Sequence, residues 1–125
     1  MSDMIEGGLE SKRDSDLLRG VLDMCVLGVL ATRPAHAYEV VERLRGLGFG
    51  AVSYGTIYPL VTRLRRQGLV AQESTASPVG PTRKVLVVTD SGRDALGAWR
   101  TRWEESTAAV RRVLSQVDES QAGSS

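Results

Sequence analysis

A chain of 125 residues has room for one domain with a modest core and not for two independent ones. Apolar residues at 42% and charged residues at 25% are ordinary for a soluble globular protein, and a net charge of +1 gives the whole chain no basic character. The single cysteine, Cys25, excludes a disulfide framework within the chain and a metal cluster built on cysteines.

The distribution of charge says more than its sum. Between Ser53 and Leu86 the cations Arg63, Arg65, Arg66, Arg83 and Lys84 face only Glu73, whereas the first twenty or so residues are mainly acidic. A local positive field of this kind is what phosphate binding needs.

Residues 1–14 are rich in Gly, Ser and charge and read as a disordered arm. They carry no signal-peptide pattern, and the longest apolar run, Met24 to Ala31, is far shorter than the roughly 20 residues of a bilayer span. The expected location is therefore the cytoplasm.

A first helix is expected from about Asp16 to Ala31, with Leu17, Leu18, Val21, Leu22, Cys25, Val26 and Val29 at helical spacing and Leu27 and Leu30 widening the apolar face. A helix so apolar needs cover on more than one side, and Leu18 and Leu22 are candidates for contact with a second subunit. Cys25 reads as a small buried hydrophobe, with a redox-sensing thiol as the alternative. After the break at Arg33-Pro34-Ala35, a second helix fits Ala37 to about Leu47, with Glu39 and Glu42 early and Arg43 and Arg45 late, as the helix dipole favours. His36, just ahead of it, reads as a local hydrogen-bonding or capping residue, with a metal-ligand or pH-sensing role as the sharper alternative.

The segment from Ser53 to Gly68 reads as a third helix. Ser53 is its N-cap, Ile57, Leu60, Val61 and Leu64 are its apolar face, and Gly68 is its stop. Hydroxyls early (Tyr54, Thr56, Tyr58) and arginines late suit a helix that enters the DNA major groove. Taken alone, the segment is equally an amphipathic helix with a solvated basic side. Its neighbours shift the balance. A helix and a short glycine-containing turn precede it, which is the helix-turn-helix pattern. Leu69 to Glu73 and Thr82 to Thr89 then read as strands around a Ser-, Pro- and Gly-containing turn, with Arg83 and Lys84 near the tip. Three helices followed by a basic hairpin define a winged helix.

Thr89-Asp90-Ser91 caps a last helix expected from about Ser91 to Val117. Leu96, Trp103, Val110 and Val117 recur every seven residues, and Trp99, Ser106 and Val113 form the companion series. Such a seam asks for a partner helix, most simply in a second copy of the chain. Trp99 and Trp103 read as interface core, or as the walls of a cavity that stacks on a planar ligand. Residues 119–125 read as a flexible tail. The expected fold is thus α+β and mainly α, with a winged helix-turn-helix over residues 15–90 and a long C-terminal dimerisation helix over 91–118.

Leu17-Leu18-Arg19-Gly20-Val21-Leu22, Pro34-Ala35-His36-Ala37-Tyr38-Glu39, Gly55-Thr56-Ile57-Tyr58-Pro59-Leu60, Gly80-Pro81-Thr82-Arg83-Lys84 and Thr89-Asp90-Ser91-Gly92 together resemble the PadR family of bacterial transcriptional regulators, in its branch with one C-terminal helix. The resemblance implies a homodimeric repressor that sits on a palindromic operator in double-stranded DNA and is released by a small molecule or stress signal. It assigns DNA contacts to Tyr38, Ser53, Tyr54, Gly55, Thr56, Tyr58 and Arg63, with Arg83 and Lys84 from the wing. Trp103, beside Trp99, stands where multidrug-sensing relatives stack a tryptophan on planar aromatic effectors. The expected dimer interface is Leu18, Leu22, Leu96, Trp99, Trp103, Val110, Val113 and Val117. Two places depart from the family pattern. Ala37 replaces a glycine, and Val85 and Leu86 replace aromatics on the returning strand.

No residue set combines nucleophile, base and oxyanion donor, so an enzyme is not expected, and neither a cofactor nor a metal is implied. The competing reading is a winged helix used for protein interaction without direct DNA reading.

Overall fold

The computed structural model describes residues 20–75 and 80–123. The arm at 1–14, Leu18 and the hairpin tip at 76–79 lie outside them. The element order is α1 (20–32 of the described residues), α2 (Ala37–Gly46), α3 (Tyr54–Arg66), β1 (Val70–Thr75), β2 (Arg83–Val88) and α4 (Asp90–Gly123). This is a mainly helical winged helix with a small antiparallel sheet, as the sequence pattern implies.

The core is one cluster to which each short element contributes an apolar stripe. Leu22, Val26, Leu27, Val29 and Leu30 come from α1, Val40, Val41 and Leu44 from α2, and Ile57, Leu60, Val61 and Leu64 from α3. Val70 and Leu86 close it from the strands. Leu22, expected at a subunit interface, is only 1% exposed within its own protomer. The correction has a simple cause: Leu22 shares a face with Val26 and Val29, and that face points to α2 and α3 rather than outward.

The turn inside the helix-turn-helix and the one that follows it are closed in the same way. Gly48 (φ 123°) follows α2 and Gly68 (φ 75°) follows α3 in the left-handed region that glycine enters without a Cβ penalty. In each case the next residue donates back to the third-last helical carbonyl: Phe49 N to Leu44 O at 3.0 Å, and Leu69 N to Leu64 O at 3.0 Å. Both are Schellman closures, which satisfy carbonyls that would otherwise be orphaned.

The wing pairs Val70 with Val88 through to Thr75 with Arg83. The sheet gains a third, one-residue contribution. Ala35 exchanges backbone bonds with Leu86, at 3.2 Å and 2.8 Å, and so ties the hairpin to the start of α2. Sequence patterning gives no sign of this bridge.

Where α4 begins, it crosses the end of α3 at backbone distance. Thr89 Oγ1 donates to Gly68 O at 2.6 Å and accepts from Gly92 N at 3.0 Å, while Thr89 N donates to Leu69 O at 3.1 Å. A Cβ on Gly92 would stand 2.1 Å from Leu69 O. From there α4 runs for 34 residues, a rod of roughly 51 Å at 1.5 Å per residue. It continues through Gly123, so residues 119–123, expected in a flexible tail, are helical. No described helix is long and apolar enough to cross a membrane.

Gly92→Ala is expected to destabilise the protein by about 1–3 kcal/mol, because the methyl meets backbone that cannot swing away. Gly97→Ala, whose added methyl meets nothing within 4 Å in the protomer, is expected to leave the melting temperature unchanged or raise it. Thermal unfolding of the two variants side by side checks this.

Candidate DNA-binding surface

The helix α3 is two-sided. Ile57, Leu60, Val61 and Leu64 are buried, and Gly55, Thr56, Tyr58, Pro59, Thr62, Arg65 and Arg66 are exposed on the faces away from the core. Ser53 caps it, its Oγ accepting from Thr56 N at 3.3 Å and lying 3.2 Å from Thr56 Oγ1. Pro59 has no N–H to offer, so the exposed Gly55 carbonyl lacks its usual donor four residues on. Gly55 itself stands open, the only near neighbour of a Cβ there being Ser53 Oγ at 3.7 Å. The helix start therefore presents hydroxyls and open backbone, a surface that can approach a base edge or a phosphate closely.

Two expected contact residues turn out to be committed inside the protomer. Arg63, expected among the DNA contacts of α3, forms an ion pair through Nη2 with Asp23 Oδ1 of α1, at 2.5 Å and partly buried. Asp23 is forty residues away in the sequence, and nothing in the local pattern announces the pair. The hydroxyl of Tyr54 donates to Glu42 Oε1 at 3.1 Å, while the Arg45 guanidinium lies 5.7 Å from its ring centroid. Partial burial and the bond to Glu42 raise its phenol above the ordinary tyrosine range, so Tyr54 is a neutral donor that ties α3 to α2. Arg45 also donates from Nε to Val52 O at 2.9 Å, fixing the turn between the two helices.

The other candidates are exposed. Tyr58 is 48% exposed and sits 5.8 Å from Tyr54, ring to ring. Tyr38 is 50% exposed at the first turn of α2. Arg83 and Lys84 are exposed at the start of β2. Exposed arginines also occupy the end of α3, at Arg65 and Arg66.

The long helix divides in two. Leu96 and Trp99 are partly buried against the protomer's own core, so this part of the expected interface is at least half used internally. Past Trp99 nearly every residue is exposed. Trp103, Val110, Val113 and Val117 form the apolar stripe the heptad pattern requires, at 45%, 54%, 62% and 47% exposure. Leu114, 55% exposed and four residues from Val110, belongs to the same stripe. The heptad count missed it, although its spacing from Val110 was a usable signal.

Trp103 and Met24 both line two clefts between α1 and α4. One, of about 310 Å³, also includes Val21, Trp99 and Arg102. The other, of about 640 Å³, also includes Cys25, Leu96 and Arg100. Burial pushes the Cys25 thiol up, which disfavours the reactive thiolate and fits the apolar reading of this residue. Among the described residues no cluster of His, Cys, Asp or Glu could hold a metal ion.

The sequence model of a family described as "Transcriptional regulator PadR-like family" matches residues 26–98. Among solved structures, the chain is similar to a PadR-like transcriptional regulator from Bacillus cereus. The two are 33% identical with a TM-score of 0.73, over 79% of this chain and 96% of that one. A PadR family transcriptional regulator from Eggerthella lenta is 32% identical with a TM-score of 0.70, over 89% and 96% of the two chains. A Streptococcus transcriptional regulator is 32% identical with a TM-score of 0.71, over 78% and 95%. No curated protein gave a significant match.

Asp23→Ala and Arg63→Ala are each expected to lower stability by roughly 0.5–2 kcal/mol, and the double variant by clearly less than the sum. Denaturant unfolding of the three variants checks the coupling, and simple additivity would mean that the pair contributes nothing jointly.

Proposed function

Because this chain belongs to the PadR-like family of transcriptional regulators, and is therefore a DNA-binding regulator, we propose that it acts as a homodimeric repressor on a palindromic operator and is relieved by a small planar molecule. The observation that carries the reading is the pairing of two features in one protomer. A capped, exposed, hydroxyl-bearing face of α3 accompanies an exposed basic wing, and an exposed apolar stripe runs along α4.

In this reading α3 enters the major groove. Thr56 and Tyr58 are the base-edge candidates, and Ser53 and Gly55 let the backbone approach. Arg83 and Lys84 of the wing, with Tyr38 from α2, take the phosphates. Arg65 and Arg66 add to the positive field over the end of α3. Arg63 and Tyr54 contribute by holding α3 in place, as their internal bonds indicate.

The stripe from Trp103 to Val117 pairs with a second copy, giving the two-fold symmetry that a palindromic operator matches. The two clefts that Trp103 lines combine apolar walls (Val21, Met24, Leu96, Trp99) with charged residues such as Arg102 and Arg100. A planar aromatic effector stacking on the half-exposed indole there would alter how α4 sits on α1, and with it the spacing of the two reading helices.

Shift assays on a promoter-region duplex are expected to show binding that weakens steeply as salt rises. Thr56→Ala and Tyr58→Ala should reduce specific binding more than binding to a random duplex, with each lost base contact worth about 1–3 kcal/mol. Arg83→Ala and Lys84→Ala should weaken both kinds of binding and flatten the salt dependence. Equal effects from all four substitutions would overturn this division of roles.

Val113→Glu, which puts a charge into the middle of the stripe, is expected to convert the dimer to monomer in sedimentation velocity runs and to abolish operator binding at sub-micromolar protein. Saturable quenching of tryptophan fluorescence by planar aromatic compounds, lost in Trp103→Phe, is the expected sign of the effector site. No quenching across a chemically varied set would leave Trp103 as interface core.

A further inference from the structure

We propose that His36 is a positioning residue for the wing, holding the cationic end of β2 at a fixed place relative to α2 and α3. The inference rests on the reading of the wing as a phosphate contact.

The only histidine of the chain sits at the N-cap of α2, and its ring reaches forty-eight residues ahead to the main chain of the wing. Nδ1 lies 2.7 Å from Lys84 O. A carbonyl oxygen only accepts, so Nδ1 carries the proton and donates. The ring is held in orientation from two sides. It stacks on Tyr38 at 5.8 Å with the planes 4° apart, and Glu39 Oε1, which accepts from the His36 backbone N at 3.1 Å, stands 3.7 Å from Nε2.

The effect on the wing follows from the register. Pairing of β1 with β2 holds the two strands to each other and leaves open where the hairpin points. An isolated two-stranded hairpin is marginal in water and needs ties to the body of the protein. Ala35 supplies one such tie through its backbone exchange with Leu86. The His36 ring supplies the next one along the same outer edge, at Lys84, two residues closer to the tip. Without it the last fixed point on that edge is Leu86, and Arg83 and Lys84 lie beyond it. The bond uses the Lys84 carbonyl, so the Lys84 ammonium and the Arg83 guanidinium stay exposed for a phosphate. Stacking on Tyr38 joins the α2 contact residue to the same device. One imidazole thus couples two of the proposed phosphate contacts.

The test separates the donor from the ring and positioning from mere stability. His36→Asn keeps an amide donor near the place of Nδ1 and loses the ring, while His36→Phe keeps a ring on Tyr38 and loses the donor. Binding to a random-sequence duplex is titrated against salt for wild type, both variants, Arg83→Ala/Lys84→Ala, and that double variant with His36→Phe added. His36→Phe should bind about tenfold more weakly at low salt, with a slope shallower by about 1 to 2, as for loss of one or two phosphate contacts. His36→Asn should stay within about twofold of wild type, and His36→Phe should add nothing once Arg83 and Lys84 are gone.

An unchanged slope, or the same loss with and without the wing cations, overturns the proposal and leaves His36 a simple capping residue. Should His36→Phe fail to fold, His36→Leu, which also lacks a donor, replaces it in the same comparison with the same deciding outcomes. Wild-type protein that binds no duplex at all is a different failure, since it removes the DNA reading itself.

Discussion

The contact between the start of α4 and the end of α3 is made of backbone, and backbone does not adapt. Leu69 O lies where a Cβ of residue 92 would be, and Thr89 is bonded at once to Gly68, Leu69 and Gly92. Long side chains at such a crossing would let the angle drift with each rotamer, whereas a glycine against a carbonyl allows little drift. The direction of α4 relative to α3 is therefore set within the protomer, before any partner or ligand is involved. In the proposed dimer, with α4 meeting its symmetry mate, that angle would determine how far apart the two α3 helices lie. Two half-sites on one face of DNA are about 34 Å apart, so a small error in angle over a long rod becomes a lost contact.

The same economy governs α3. Its back face is fixed by the core, one flank by Arg63 on Asp23, and the other by Tyr54 on Glu42. Two of its most polar side chains are spent on holding it. The remaining exposed residues, Thr56, Tyr58, Pro59, Thr62, Arg65 and Arg66, are free because others are not. Pre-organising a helix in this way reduces the entropy lost when it docks, which matters for a binder with a net charge of only +1 and little long-range attraction to spare.

Periodicity made the elements legible, and spacing made the heptad legible, because both are properties of residues a few positions apart. The helix-turn-helix, the wing and the long last helix are all readable in this way. Arg63 illustrates what was not. Its partner Asp23 comes from a different helix, and only the packing angle of α1 on α3 brings the carboxylate within reach. Leu22 is a related case, since a helix as apolar as α1 shows two candidate inner faces and the sequence does not rank them. The bridge from Ala35 to Leu86 and the reach of His36 to Lys84 are likewise invisible in one dimension, for each depends on where the hairpin lands. The extension of α4 to Gly123 was missed because Glu119, Ser120, Gln121 and Ala122 are polar or small, and composition alone could not separate a solvated helix end from a tail.

That extension bears on how the protein is held together. An isolated helix in water is marginal even at favourable composition, and its stability comes chiefly from burying an apolar face. The half of α4 beyond Trp103 has an apolar face and little of its own protomer to bury it against, with Val110, Val113, Leu114 and Val117 each about half exposed or more. The proposed pairing with a second copy would supply what the protomer lacks. Folding of that half and association would then be one event, and the stability of the long helix would rise with protein concentration. The polar Ser106 sits between Trp103 and Val110 on the seam, so the stripe is interrupted where the clefts lie. In the proposed reading, a ligand entering there would meet the weakest point of the seam, where a modest binding energy has the most leverage over how the two copies of α4 pair, while the α3–α4 angle within each protomer stays fixed.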